Sequence, residues 1–214
     1  MHRLLNNLML FTFIICSSLS VNAQSFSDLD KSPMDAVMVR NEDNSPLVRI
    51  IYSRPFKRGR EIFGNLVPFE KVWRTGANET TEIRFYEHCY VNGQPIKKGT
   101  YALFSIPNED EWTIIINQNY QDWGAYNYKE SADVLRFNLK VQETATSVEQ
   151  FSISTRPAKN GAYLFMGWDN TFLRFTVKPD PSLFPEEIEV EDDLPAKTQT
   201  SKKTKKTKRF LGIF

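Results

Sequence analysis

Across 214 residues the chain carries 27 Lys and Arg against 26 Asp and Glu, a formal net charge of +1. Such an even balance argues against a nucleic-acid partner, whose footprint is a basic face, and none is expected. Aromatic residues make up 13% of the chain, a content that suits strands and recognition surfaces.

The N-terminus reads as an export leader. Arg3 precedes an apolar run at residues 8–15, and Val21-Asn22-Ala23 resembles a small-residue cleavage site. That is the three-part pattern of a secretory signal, which assigns residues 1–23 to the leader and 24–31 to a linker. Two alternatives stand beside it. An uncleaved anchor needs about 20 apolar residues, more than this run supplies. Lipidation at Cys16 meets a poor neighbour in Ile15. The expected location is the periplasm or cell envelope.

From residue 32 onward the pattern is strands and turns. Residues 47–53 are rich in β-branched side chains and stop at Arg54-Pro55. Residues 81–86 alternate, placing Ile83 and Phe85 on one face. Asn92-Gly93 is a hairpin signal. Strands are expected at 101–106 and 112–117. Residues 134–141 alternate again through Leu135, Phe137, Leu139 and Val141, and Phe151 and Ile153 continue the pattern. Asn160-Gly161 and Asp169-Asn170 bracket 162–168, and 172–178 reads as the last strand. The only helical candidate, 129–134, is very short. About eight strands without helical crossovers predict an all-β fold, a single antiparallel β-sandwich of jelly-roll-like or barrel-like form over 32–178.

The stretch 179–214 reads differently. An acidic cluster from Glu186 to Asp193 precedes a basic one from Lys202 to Arg209, and the chain ends Phe210-Leu211-Gly212-Ile213-Phe214. Segregated charge blocks do not fold alone, so a disordered acidic-then-basic tail is expected. It also suggests a partner: an envelope protein, or an anionic membrane surface bound through the cations and the apolar terminus.

Chemical motifs are few. With the leader removed, His88 and Cys89 are the sole residues of their types. Adjacent on a strand, they point to opposite faces and do not chelate together. Cys89 is expected as a buried structural thiol. No nucleophile elbow, phosphate loop or dinucleotide fingerprint is present. No catalytic residue, metal or cofactor is assigned.

What remains is a polar-aromatic set on loops: Arg54, Arg60, Trp73, Arg74, Asn78, Trp123 and Tyr126. Loops on a rigid scaffold carry binding residues. Arginine forks match carboxylates and phosphates, and the rings offer stacking faces. These residues are the candidate ligand-binding site. A purely architectural role, with arginines on tryptophans closing one end of the sandwich, stands against it.

Several motifs carry a family resemblance. They are Ser53-Arg54-Pro55, Gly59-Arg60 with Phe63-Gly64, Val72-Trp73-Arg74-Thr75-Gly76-Ala77-Asn78-Glu79, Gly99-Thr100-Tyr101, Glu111-Trp112-Thr113 and Trp123-Gly124-Ala125-Tyr126. In order and with few gaps over 31–178, the chain resembles domain of unknown function 2911, a family found mainly in secreted proteins of Bacteroidota. The resemblance implies an exported bacterial protein. It brings no activity and no catalytic residues.

Two functional expectations follow. One is an exported binding module for an anionic or sugar-like (carbohydrate) ligand, in which Arg74 meets charge, Asn78 orients hydroxyls and the rings form an apolar wall. The other is a hydrolase using Glu79, Glu82 and Asp122, which requires at least two of these carboxylates to face one cleft. A structural envelope protein docking through its tail is a further alternative. The motif inventory weighs toward a non-enzyme.

Overall fold

The computed structural model describes residues 26–184. The expected leader at 1–23 and the tail from 185 onward lie outside the described residues. Ten strands are present among the described residues: β1 Met34–Arg40, β2 Pro46–Ser53, β3 Ala77–Phe85, β4 Cys89–Val91, β5 Gln94–Ile96, β6 Gly99–Ile106, β7 Glu111–Asn117, β8 Asp133–Lys140, β9 Gln142–Ala158 and β10 Gly161–Pro179. The short helical candidate is a single 3-10 turn, Glu130–Ala132.

The strands form two antiparallel sheets. The larger has the order β1-β2-β3-β6-β7-β8 and the smaller β5-β4-β10-β9. They remain an open sandwich and do not close into a barrel. One apolar core lies between them, with Val48, Ile50, Ile83, Ile114 and Leu135 from one side and Phe151, Leu164, Trp168 and Phe175 from the other. Each such side chain contributes about 1.5–3 kcal/mol by leaving water. Alternation selects these residues: β8 buries Leu135, Phe137 and Leu139 and exposes Arg136, Asn138 and Lys140.

β10 is a single run of extended residues, yet it doubles back on itself. A methyl group built on Gly161 would stand 2.1 Å from Val177 O, and one on Gly167 would stand 3.5 Å from Phe172 Cβ. The fold lies at Asp169-Asn170, where Asp169 takes a positive φ of 53°. Burial confirms it: Ala162, Leu164, Met166 and Trp168 face the core before the bend, and Leu173, Phe175 and Val177 after it. The expected turn is therefore in place, and the two halves lie side by side. The β4–β5 hairpin turns on Asn92-Gly93, both with positive φ (46° and 83°), as a type I′ turn demands.

Two strands, β1 and β5, were not expected. β1 is an edge strand that buries Val39 and leaves most of its length open. β5 is three residues, Gln-Pro-Ile. Residues 180–184, assigned to the tail by composition, hold to the domain: Asp180 N donates to His88 O at 2.9 Å, and the Phe184 ring lies 5.4 Å from that of His88.

Cys89 is 0% exposed. Burial, with the Glu87 charge adding to it, pushes its thiol up to about 12. The thiolate is the reactive species, so in the chain without residues 1–23, where Cys89 is the only cysteine, iodoacetamide at pH 8 should leave Cys89 unlabelled in the native protein and modify it fully in denaturant. Rapid native labelling would contradict the burial.

Candidate functional site

Irregularity in β3 creates the main cleft. Against β2, Ala77 pairs with Ser53 and Glu82 with Ile51, so β3 takes five steps where β2 takes two. Asn78, at φ 56°, opens this bulge; Asn tolerates the left-handed region better than most residues. The bulge pushes β3 outward on the face of the large sheet that points away from the core.

The segment after β7 then docks on the bulge through its backbone. Thr80 N donates to Asp122 O and Gly124 N to Asn78 O, each at 3.0 Å. The Thr80 hydroxyl donates to Gly124 O at 2.6 Å. Beneath this segment lies a second apolar cluster, in which Ala102, Phe104 and Ile115 are covered by Tyr120, Ala125 and Tyr128. Thus a loop becomes a fixed wall.

Between wall and sheet is a cleft of about 570 Å³, lined by Met34, Ile51, Ser53, Glu79, Thr80, Glu82 and residues 120–123 among others. Glu79, Glu82 and Asp122 all face it. On a regular strand, positions 79 and 82 point to opposite faces; the bulge is what unites them. Glu82 pairs with Arg49 at 3.0 Å, and Arg49 Nε is buried without a hydrogen-bond partner. Asp122 Oδ1 accepts from Trp123 N at 2.7 Å and Asn127 Nδ2 at 3.2 Å. Glu79 makes no ion pair among the described residues. No group of three metal-ligating side chains occurs among the described residues.

Beside the cleft stands an aromatic pair. Trp123, 55% exposed, and Tyr126, 78% exposed, stack at 5.8 Å with planes 11° apart. The Arg74 guanidinium lies 5.9 Å from the Trp123 ring. Its Nε is buried and unpartnered, and desolvation lowers its pKa.

Of the seven residues chosen from sequence, Arg74, Trp123 and Tyr126 come together here. Asn78 adjoins them: its carbonyl holds Gly124, while its side chain donates to Asp30 Oδ1 at 3.0 Å. The other three lie elsewhere in bonded positions. Arg54 pairs with Asp35 at 2.9 Å and donates to Phe151 O and Ser152 Oγ, tying β9 to the chain after β2. Arg60 donates to the carbonyls of Lys57 and Phe56. Trp73 is 8% exposed and sits among core rings. Met34, Ile51, Thr80, Tyr120 and Gln121 line the cleft outside the quoted motifs, and Ser53 joins them from Ser53-Arg54-Pro55.

These features define the class: an open all-β sandwich with a carboxylate-lined cleft on the outer face of its larger sheet. Residues 32–177 match the family described as Protein of unknown function (DUF2911), and the chain belongs to that family. No curated protein and no solved structure matches it.

Proposed function

We propose that this domain is a binding module for a sugar-like ligand, seated in the cleft between β2, β3 and residues 120–123. The observation that carries this reading is the exposed Trp123–Tyr126 stack beside a cleft rich in carboxylate, hydroxyl and amide groups. Carboxylates accept hydrogen bonds from sugar hydroxyls, and an exposed ring offers a face to the apolar side of a pyranose. Glu79, Glu82 and Asp122 together disfavour an anionic occupant in this cleft, so the anionic half of the sequence expectation is not carried forward here. The leader pattern at 1–23 supports a place in the cell envelope, and the charge blocks of 186–209 support a further contact with an envelope partner or anionic surface.

Thermal shift against neutral oligosaccharides, peptidoglycan fragments, nucleotides and organic anions tests the reading. A ligand at 100 times its Kd stabilises by about 2.7 kcal/mol. The expected result is a shift with a saccharide that Trp123→Ala abolishes while lowering the unliganded Tm by only about 1–4 °C. A shift with organic anions alone would overturn it.

A hydrolase is the second reading, favoured by the shared cleft of the three carboxylates. Glycoside hydrolysis needs two carboxyl groups flanking the bond. With Glu82 tied to Arg49, Glu79 and Asp122 are the freer pair. Release of reducing ends by the wild type, lost in Glu79→Gln, would select this reading over simple binding.

A further inference from the structure

The outer face of the smaller sheet has a composition unlike the cleft. Alternation turns Ser152, Ser154 and Arg156 of β9 outward, with Tyr163 and Phe165 of β10 before its bend and Phe172, Arg174, Thr176 and Lys178 after it. No carboxylate falls among these positions. Arg156, Arg174 and Lys178 are exposed and make no ion pair among the described residues.

Aromatic rings hold the two arginines in place. The Arg156 guanidinium lies over Phe165 at 5.4 Å, and that of Arg174 lies over Tyr163 at 5.0 Å. Tyr163 and Phe165 are themselves 6.4 Å apart. Each ring removes rotamer freedom from an arginine before any ligand arrives, which lowers the ordering cost of binding. The strand carrying the rings separates the two arginines, so their anchor points are on the order of 10 Å apart at ordinary strand spacing.

The geometry points to this face as a binding surface for an extended polyanionic glycan, distinct from the cleft. Two ring-held arginines without an ion-pair partner among the described residues call for an anion, and arginine forks bind carboxylate or sulfate bidentately. Two alternatives fit less well. Single-stranded nucleic acid stacks its bases on free rings, whereas these rings lie beneath guanidinium groups. Peripheral membrane contact needs projecting apolar side chains, and none of the exposed large hydrophobic residues belongs to this face.

The test compares the full chain without its leader, wild type against the Arg156→Gln/Arg174→Gln double variant, so that the basic tail is common to both. The probes are polygalacturonate, dextran sulfate, neutral dextran, a single-stranded oligonucleotide and anionic-lipid vesicles. The expected result is at least an about tenfold weaker affinity of the double variant for polygalacturonate or dextran sulfate, with the stronger of the two naming the anion. Neutral dextran, oligonucleotide and vesicles should not distinguish the two proteins. Trp123→Ala should leave polyanion affinity unchanged, which separates this surface from the cleft. Equal polyanion affinity in both proteins overturns the proposal. So does an equal loss for the oligonucleotide or the vesicles, which would reassign the face to nucleic acid or membrane.

Discussion

Trp73→Ala should cost about 3–5 kcal/mol of stability, the range for removing a large ring from a well-packed core. The Trp73 ring stacks on Trp168 at 6.1 Å with planes 20° apart and meets Phe151, Trp112 and Phe63 at 5.1, 6.0 and 6.2 Å. Its indole N–H donates to Gly76 O at 2.9 Å. Its backbone exchanges two bonds with Ser105, so the peptide stays fixed and cannot slide to fill the hole. For a domain of this size each kcal/mol moves Tm by about 2–4 °C, giving a drop on the order of 10 °C. Trp73→Phe keeps most of the packing and loses the bond to Gly76, a net change of about 1 kcal/mol from the hydrogen bond plus a small packing loss. Trp123→Ala is the control: its ring is exposed, and its contact with Arg74 is worth about 0.5–1 kcal/mol. Urea melts of all three measure the contrast. Equal costs for Trp73→Ala and Trp123→Ala would mean that Trp73 is not packed among the core rings as described.

That contrast also marks where the sequence stops being readable. Trp73 and Trp123 both sit in turn-like stretches beside glycine and a cation or tyrosine. Nothing local says that one enters the core while the other stays outside. The choice is made by distant rings, Phe151 and Trp168 on the opposite sheet. The regular strands were legible because their alternation is local. Leu135, Phe137 and Leu139 announce β8 without help from any partner. β1 was not legible, because an edge strand that buries little carries little pattern. The start of β3 was hidden by Gly76 and Asn78, which read as turn and serve a bulge.

The cleft was half legible for a related reason. Glu79, Glu82 and Asp122 were nameable as candidates from their place near aromatic loops. Their convergence depends on the bulge that turns Glu79 and Glu82 to one side, and on backbone bonds from Thr80 and Gly124 that no side chain signals. Arg54 and Arg60 illustrate the converse. A loop dense in cations suggests an anion site, but these two spend their donors on carbonyls of their own chain and on Asp35. Loop composition alone does not separate a cation waiting for a ligand from one closing an end of the fold.

Gly161→Ala should be the other severe substitution, at about 2–5 kcal/mol from overpacking and backbone strain together. Gly161 has φ 145°, and an added Cβ would stand 2.1 Å from Val177 O and 3.0 Å from Lys178 Cα. Both are backbone atoms of the second half of β10, so no side chain can rotate away. Relief requires the two halves to part at their open end, where Val177 and Lys178 also pair with β4. Gly93→Ala isolates the strain: its φ is 83° and nothing lies within 4 Å of the new methyl, so only the left-handed penalty of about 1–2 kcal/mol applies. Amide exchange should therefore speed up across β4 and both halves of β10 in Gly161→Ala, and only at the β4–β5 turn in Gly93→Ala. Because the same side-by-side packing sets Arg174 over Tyr163, Gly161→Ala should also weaken polyanion binding, while Gly93→Ala leaves it intact. Similar melting temperatures for the two variants would show that β10 does not close on itself at Gly161.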